Sequence, residues 1–313
     1  MSGVLSDAQI QNFVAQGKFF RAYSYFSLLK EFGDVPYIDF PYTTMDNLYK
    51  ERTPSLEIYK HIETDLLSII EGDALANKAF YANGGYLTKS MAQTLLAQVY
   101  LQWAGAPLNG GNEYYTKAAN MALNVVTGGQ HALIQAGGSS DDLESAFNQI
   151  KTTDSSNEII FAKEYDYTNF SLGNSYACRS IGQDAFQWGV FKPGGDVLYN
   201  AYLPCEMLIS SYNPADIRGH EKQFFFRQFT DVDVSPNVTY TLNNLGNWLW
   251  FDETGLRTGK DGDNNVPVFR YAEVLLIAAE GLARTGKDGD AKLYLNQVRK
   301  RAGLADETAT GDA

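Results

Sequence analysis

Apolar residues recur at intervals of three and four over much of the first 127 residues and again over residues 270–304, which predicts amphipathic helices. A helix is expected over residues 8–31, with Phe19, Ala22, Tyr23, Phe26 and Leu29 in register and Gly33-Asp34-Val35-Pro36 as its stop. Ser55 is placed to cap a second helix, whose inner face carries Ile58, Ile62, Leu66, Ile69 and Ile70. Thr88 is placed to cap a third, with Met91, Leu95, Val99 and Trp103 in one stripe and Gly105-Ala106-Pro107 ending it. Trp103 closes that stripe and is expected in the core. Asn109-Gly110-Gly111-Asn112 then turns the chain into Tyr114–Thr127, with Tyr115, Ala118, Ala119, Ala122 and Val125 inward.

Residues 270–304 repeat the pattern. Tyr271, Val274, Leu275, Ala278 and Leu282 form one stripe, and Ala291, Tyr294, Leu295, Val298 and Ala302 form another. Gly286-Lys287-Asp288-Gly289-Asp290 separates them, with Asp290 as the expected N-cap of the second helix. The unit is close to the ~34-residue period of tetratricopeptide (TPR) hairpins. A single hairpin cannot bury its own apolar face, so the three pairs over 19–70, 88–127 and 270–304 imply stacking.

Between about 136 and 268 the periodicity fades. Glu158–Glu164 suits a short strand, Leu203–Tyr212 a short helix, and Gln223–Phe229 and Tyr240–Phe251 further strands, with a turn at Asn243-Asn244-Leu245-Gly246-Asn247. The fold class expected is mostly α, with TPR-like helical hairpins as scaffold and an irregular, loop-rich α+β insertion. The divisions are a scaffold over 1–135, the insertion over 136–268, a closing hairpin over 269–304 and a polar tail over 305–313.

One heptapeptide occurs twice. Arg257-Thr258-Gly259-Lys260-Asp261-Gly262-Asp263 is identical to Arg284–Asp290. Asp261, Asp263 and Asn265 alternate like the start of an EF-hand loop, but Val266 stands where that loop needs Gly and Ala272 where it needs Glu. The repeat therefore reads as reused turn chemistry, and no metal is expected.

Composition narrows the function classes. With 313 residues and 44% hydrophobic positions the chain can bury a sizeable core, and no apolar run is long enough to span a bilayer. A net charge of −12 disfavours nucleic acid as a partner. His61, His131 and His220 are scattered; no HExxH, GxSxG or P-loop occurs, and Gly84-Gly85 and Gly194-Gly195 lack a strand-to-helix setting. No catalytic residue and no cofactor is expected. Cys178 and Cys205 have no metal-ligand spacing, and sequence leaves open whether they pair.

Four blocks of sequence give the chain a family resemblance. They are Phe20-Arg21-Ala22-Tyr23-Ser24-Tyr25-Phe26 with Phe32-Gly33-Asp34-Val35-Pro36 and Arg52-Thr53-Pro54; Ala92 to Leu101; Asn157-Glu158-Ile159-Ile160-Phe161; and Arg270-Tyr271-Ala272-Glu273-Val274-Leu275-Leu276, Ala279-Glu280, Leu295-Asn296 and Val298-Arg299-Lys300-Arg301-Ala302-Gly303-Leu304. In this order they resemble the SusD/RagB family. That resemblance implies a surface-exposed, lipid-anchored outer-membrane protein that captures an oligo- or polysaccharide, or another nutrient, without catalysis, and passes it to a TonB-dependent transporter of the SusC type. Met1–Asp7 lacks the basic flank and apolar stretch of a signal peptide, and a lipobox cysteine is absent. Family members usually carry further helices at both ends, so the chain is expected to be part of a longer protein.

The candidate ligand residues lie in the insertion. Aromatics are 13% of the chain, and their faces can stack on the C–H side of a sugar ring. If Trp248-Leu249-Trp250-Phe251 is extended, Trp248 and Trp250 share one face. Tyr176, Arg179, Gln183, Phe186 and Trp188 combine rings with groups that donate to hydroxyls, and Tyr199 with Tyr202 is a third pair. The Asp216–Arg218 pair resembles a family word and reads as a structural tie. The alternative reading is a helical-repeat adaptor that binds a protein partner alone; a glycan-degrading enzyme is disfavoured by the missing motifs.

Overall fold

The computed structural model describes residues 4–44, 46, 48–135, 140–152, 156–176, 179–192, 203–259 and 261–309. They form two compact units. The first comprises residues 1–132, 269–295 and 308–313, and the second residues 133–268 and 296–307.

The first unit is a series of antiparallel helices: α1 (Asp7–Phe32), α2 (Ser55–Glu71), α3 (Lys89–Ala104), α4 (Gly111–Thr127) and α9 (Tyr271–Arg284). Each packs on the next in that order. The stripes read from the sequence are the buried faces. Phe19, Ile58, Ile62, Leu66, Met91, Leu95, Val99, Ala118, Ala122, Val274 and Ala278 are all almost fully shielded, and Trp103 is 3% exposed. The α4–α9 contact is unusually close because Gly281 has no side chain. A Cβ there would lie 2.6 Å from the Tyr115 carbonyl oxygen and 2.9 Å from the Ala119 Cβ. Arg21 on α1 donates through Nε and Nη2 to both oxygens of Asp65 on α2, each at 2.8 Å. No described helix is long and apolar enough to cross a membrane.

Helix α4 starts at Gly111, three residues before the expected Tyr114, and two expected caps are displaced. Pro54, not Ser55, holds the N-cap position of α2, and the cap is supplied by Asp34. Its Oδ1 accepts the Ser55 backbone N–H at 2.7 Å and the Ser55 hydroxyl at 2.5 Å, and these hydrogen bonds from Ser55 hold its carboxyl below the usual carboxylate range. Helix α10 spans Asp288–Arg301, so it begins two residues before the expected cap at Asp290, and both acidic residues sit in its first turn.

The duplicated heptapeptide ends a helix in both places. Gly259 follows α8 (Glu253–Thr258) with φ +70°, and Gly286 follows α9 with φ +78°, both in the left-handed region that terminates helices. At the end of the first copy and just after it, an acidic and an amide side chain bind the chain itself. Asp263 accepts the backbone N–H of Tyr167 at 2.6 Å and the Thr168 hydroxyl at 2.8 Å, and Asn265 accepts the Tyr165 N–H at 2.8 Å. The repeat ends a helix in each place, and two of the three residues that suggested calcium, Asp263 and Asn265, serve as loop clasps.

In the second unit, β1 (Ile159–Lys163) pairs with β4 (Val266–Arg270). Strands β2 (Phe225–Asp231) and β3 (Val238–Asn247) form an antiparallel hairpin, interrupted by a bulge between Phe226 and Gln228. The turn expected at 243–247 is absent: those residues are strand, with Gly246 opposite Phe226 and Asn247 opposite Phe225. The chain reverses instead between β2 and β3, and the pleat continues through the polar run. Helix α5 (Ser140–Thr152) was not anticipated, although Leu143, Ala146, Phe147 and Ile150 carry helical spacing, and the short helices α6 (Tyr167–Phe170) and α7 (Glu206–Ser210) follow it, α7 within the expected 203–212. The core of this unit is Ile181, Ala185, Phe191, Phe226, Phe229, Leu242, Phe251 and Leu256.

Two family words meet here. Glu158, fully buried before β1, receives both hydrogen bonds of Arg301 Nη1, at 2.7 and 2.6 Å. The same carboxylate accepts the Ile134 backbone N–H at 2.8 Å.

Candidate functional site

The expected aromatic platform at 248–251 takes a different form. Trp248-Leu249-Trp250 is a turn, closed by the Phe251 N–H donating to the Trp248 carbonyl at 3.2 Å, so side-chain period two does not apply. The two tryptophans go separate ways. Trp248 packs on the core, stacked on Phe251 at 5.1 Å and 15° and edge-on to Phe226 at 5.4 Å. Its indole N–H donates to Asn148 Oδ1 at 2.9 Å, which ties it to α5. Trp250 stacks instead on Tyr176, with ring centroids 4.7 Å apart and planes at 29°. Both tryptophans are half-buried.

Trp188 also stacks, on Tyr240 of β3, at 4.8 Å and 15°, and it lies against the core beside Phe191. It is half-buried, and Gln183 in the same segment is exposed. Arg179 is half-buried, and its backbone N–H closes a turn onto the Tyr176 carbonyl at 3.0 Å. Backbone N–H groups also fix the segment to β3. Asn247 donates its N–H to the Ser180 carbonyl at 2.6 Å, and Asn243 donates its N–H to Asp184 at 3.1 Å. Tyr176 itself is positioned by the Asn174 side chain, which accepts its N–H at 2.9 Å, while the Asn174 backbone exchanges hydrogen bonds with Gly262.

The structure thus brings Tyr176 and Trp250 together, with Arg179 tied to Tyr176 through the backbone, and sets Trp188 and Trp248 in separate stacks at the rim of one core. Tyr202, Tyr199 and Cys178 lie outside the described residues, so the Tyr199–Tyr202 pair and the Cys178–Cys205 pairing lie there too; Cys205 is exposed.

Sequence reasoning passed over the charges around Trp248. The Lys151 ammonium, at the end of α5, sits 4.2 Å from the Trp248 ring centroid and 5.5 Å from that of Phe251. Burial pushes its pKa down to about 8, against an opposing pull from Asp252. Lys222 lies on the same indole at 5.7 Å. The Asp216–Arg218 pair is local: Arg218 donates to both Asp216 oxygens, at 2.9 and 2.6 Å. Burial opposes ionisation of Asp216, but these hydrogen bonds outweigh it and hold its pKa low. The tie to the residue that follows α10 is made by the backbone, Ile217 N–H to the Ala302 carbonyl at 3.1 Å.

In the helical unit a cleft of about 390 Å³ is lined by Phe26, Lys30, Gln98, Tyr115, Glu273 and Ile277 among others. Burial raises the Glu273 pKa there, and Gln98 donates to it at 2.9 Å. None of the candidate residues lines this cleft. Among the described residues no group of three or more His, Cys, Asp and Glu side chains is placed to hold a metal ion.

Comparison with known proteins bears on what these surfaces do. Residues 215–313 match a family model described as the SusD family, and residues 4–101 match one described as starch-binding, associating with the outer membrane. SusD-like protein P2 of Formosa agariphila is 24% identical over 317 residues, which covers 97% of this chain and 59% of that protein. The crystal structure of a SusD superfamily protein from Parabacteroides distasonis superposes with a TM-score of 0.80 at 28% identity, covering 98% of this chain and 63% of the other. A structure solved with xylogluco-oligosaccharide shares the fold at a TM-score of 0.73 and 21% identity, covering 97% of this chain and 61% of its own. The chain therefore spans about six-tenths of the length of these proteins. One model takes in most of α1 to α3 and the other helices α9 and α10, the solved relatives also span the aromatic residues between, and the chain is thus similar to the SusD family at both ends and to a SusD superfamily protein along its length.

Proposed function

We propose that this chain binds an oligo- or polysaccharide at the cell surface and passes it to a TonB-dependent, SusC-type outer-membrane transporter, catalysing no reaction. The observation that carries the reading is the Tyr176–Trp250 stack. Its two half-buried rings, 4.7 Å apart, are not among the side chains of the unit's apolar core, and Arg179 follows in the same turn. Flat aromatic faces suit the apolar C–H face of a sugar, and a multi-donor arginine in the same segment suits its rim of hydroxyls. Similarity to the SusD family supports the same reading, as does a fold relative solved with xylogluco-oligosaccharide. Surface exposure and a lipid anchor in the whole protein belong to it, as does the absence of a nucleic-acid role, given a net charge of −12.

Isothermal titration against a panel of neutral and acidic polysaccharides tests it. At least one glycan is expected to bind, Trp250→Ala to abolish or strongly weaken that binding, and no new reducing ends to form. Silence across the panel, or full affinity in the Trp250 variant, refutes the assignment of this site.

A further inference from the structure

Lys151, Trp248 and Lys222 form a cluster that folding alone does not explain. A half-buried lysine is costly unless a counter-charge compensates it, because desolvation penalises the ammonium. Among the described residues neither Lys151 nor Lys222 makes a salt bridge, in a chain whose net charge is −12. The nearest acid acting on Lys151 is Asp252, and its oxygens are engaged otherwise. One accepts the Gly255 N–H at 3.0 Å and the other the Asp263 N–H at 3.2 Å. Lys222 is exposed, at φ +62°, in the left-handed region that a lysine rarely adopts, with its N–H donated to the Phe225 carbonyl at 2.8 Å. Its acidic neighbour Glu221 is taken up by Arg227, at 3.3 Å. Two ammonium groups thus reach one half-buried indole, at 4.2 and 5.7 Å, and that indole is fixed at its N–H by Asn148.

We propose that Lys151 and Lys222, set about Trp248, select acidic sugar units, uronates or sulfate esters, in the glycan that this protein binds. The inference rests on the glycan-binding reading and adds the class of glycan. A carboxylate or sulfate held at the rim of the indole supplies the counter-charge that Lys151 lacks, and charge-assisted hydrogen bonds from the two ammonium groups fix it. The sugar ring carrying that group extends along the aromatic side chains of this unit.

The test uses the whole chain with three polymers of different charge: a polyuronate, a sulfated galactan and a neutral glucan. The expected result is preferential binding of one or both acidic polymers, weakening as salt rises. Lys151→Met and Lys222→Met are each expected to reduce that affinity about tenfold, the scale of a lost hydrogen bond to a charged group. Lys151→Arg is expected to retain most of it. Near-ultraviolet circular dichroism checks that the variants keep their aromatic packing. Preference for the polyuronate over the sulfated polymer, or the reverse, names the acidic group. Binding of the neutral glucan alone overturns this inference and leaves glycan binding standing. Acidic binding that neither methionine variant weakens overturns it also. Silence with all three polymers removes both readings.

Discussion

Cutting the ion pair between Glu158 and Arg301 is expected to be the most damaging single change outside the hydrophobic core. Glu158 is fully buried and the Arg301 side chain is 5% exposed, so neither charge is solvated by water once its partner is gone. Arg301 Nε has no hydrogen-bond partner among the described residues, and its guanidinium lies 5.6 Å from the Phe147 ring, so the carboxylate is its main compensation. Removing one member of a buried pair costs roughly 3–5 kcal/mol. Glu158→Ala also strands the buried-side N–H of Ile134, worth about 1–3 kcal/mol, part of which overlaps the first figure. A loss of about 4 kcal/mol is a large fraction of the ~5–15 kcal/mol that holds a domain folded. In a unit of this size it corresponds to a fall in melting temperature of roughly 8–16 °C.

Urea titration followed by tryptophan fluorescence reads this unit directly, because Trp188, Trp248 and Trp250 all lie in it. Glu158→Gln keeps an acceptor for Ile134 but not the charge, so its difference from Glu158→Ala isolates the backbone hydrogen bond. The double variant Glu158→Leu with Arg301→Met is expected to recover most of the loss, since a well-packed apolar pair replaces a buried ion pair at little cost. A single-variant loss below about 1 kcal/mol would refute the reasoning, as that is the value of a solvated surface pair.

Two further outcomes are expected. Gly281→Val forces a side chain to within 2.6 Å of the Tyr115 carbonyl and pushes α4 from α9, so helical-unit stability measured by calorimetry is expected to fall by roughly 2–3 kcal/mol, with Gly281→Ala intermediate. His220 donates through Nδ1 to Glu144 at 2.7 Å and through Nε2 to the Pro214 carbonyl at 3.2 Å; the bond to Glu144 and then that to Pro214 raise its pKa, with Asp216 adding to the pull. Its stabilising contribution is therefore fully present below the unfolded histidine value of about 6.5 and is lost as pH rises through the higher folded value. Wild-type stability is expected to decline across that window, and His220→Asn to flatten the decline; an unchanged pH profile in the variant counts against the assignment.

The helices of the first unit were legible because their stripes are local and their buried faces need only a neighbour of the same kind. Glycine ends were legible too, as at Gly33 and Gly286. Cap positions were less so: Ser55 carries the side chain that a cap prefers, yet Asp34, 21 residues earlier, does the capping. Helix α5 had its spacing in plain view at Leu143, Ala146, Phe147 and Ile150, hidden by the glycines and serines before it. In the second unit the rule of alternation misled at Trp248 and Trp250, because it assumes an extended backbone and a turn begins there.

By itself the sequence determined where the helices of the first unit run, which faces they bury, which family the chain resembles and that Arg257–Asp263 ends a helix. Each of these depends on spacings within a few turns or on words of a few residues. Only the tertiary structure decided that Trp250 stacks on Tyr176 while Trp248 joins Phe251, that Glu158 meets Arg301, and that Lys151 and Lys222 reach one indole. Those pairs join positions that lie tens of residues or more apart, or turn on which way a ring faces. Such pairings are fixed by competition among many aromatic side chains for one core, and no local pattern encodes its result.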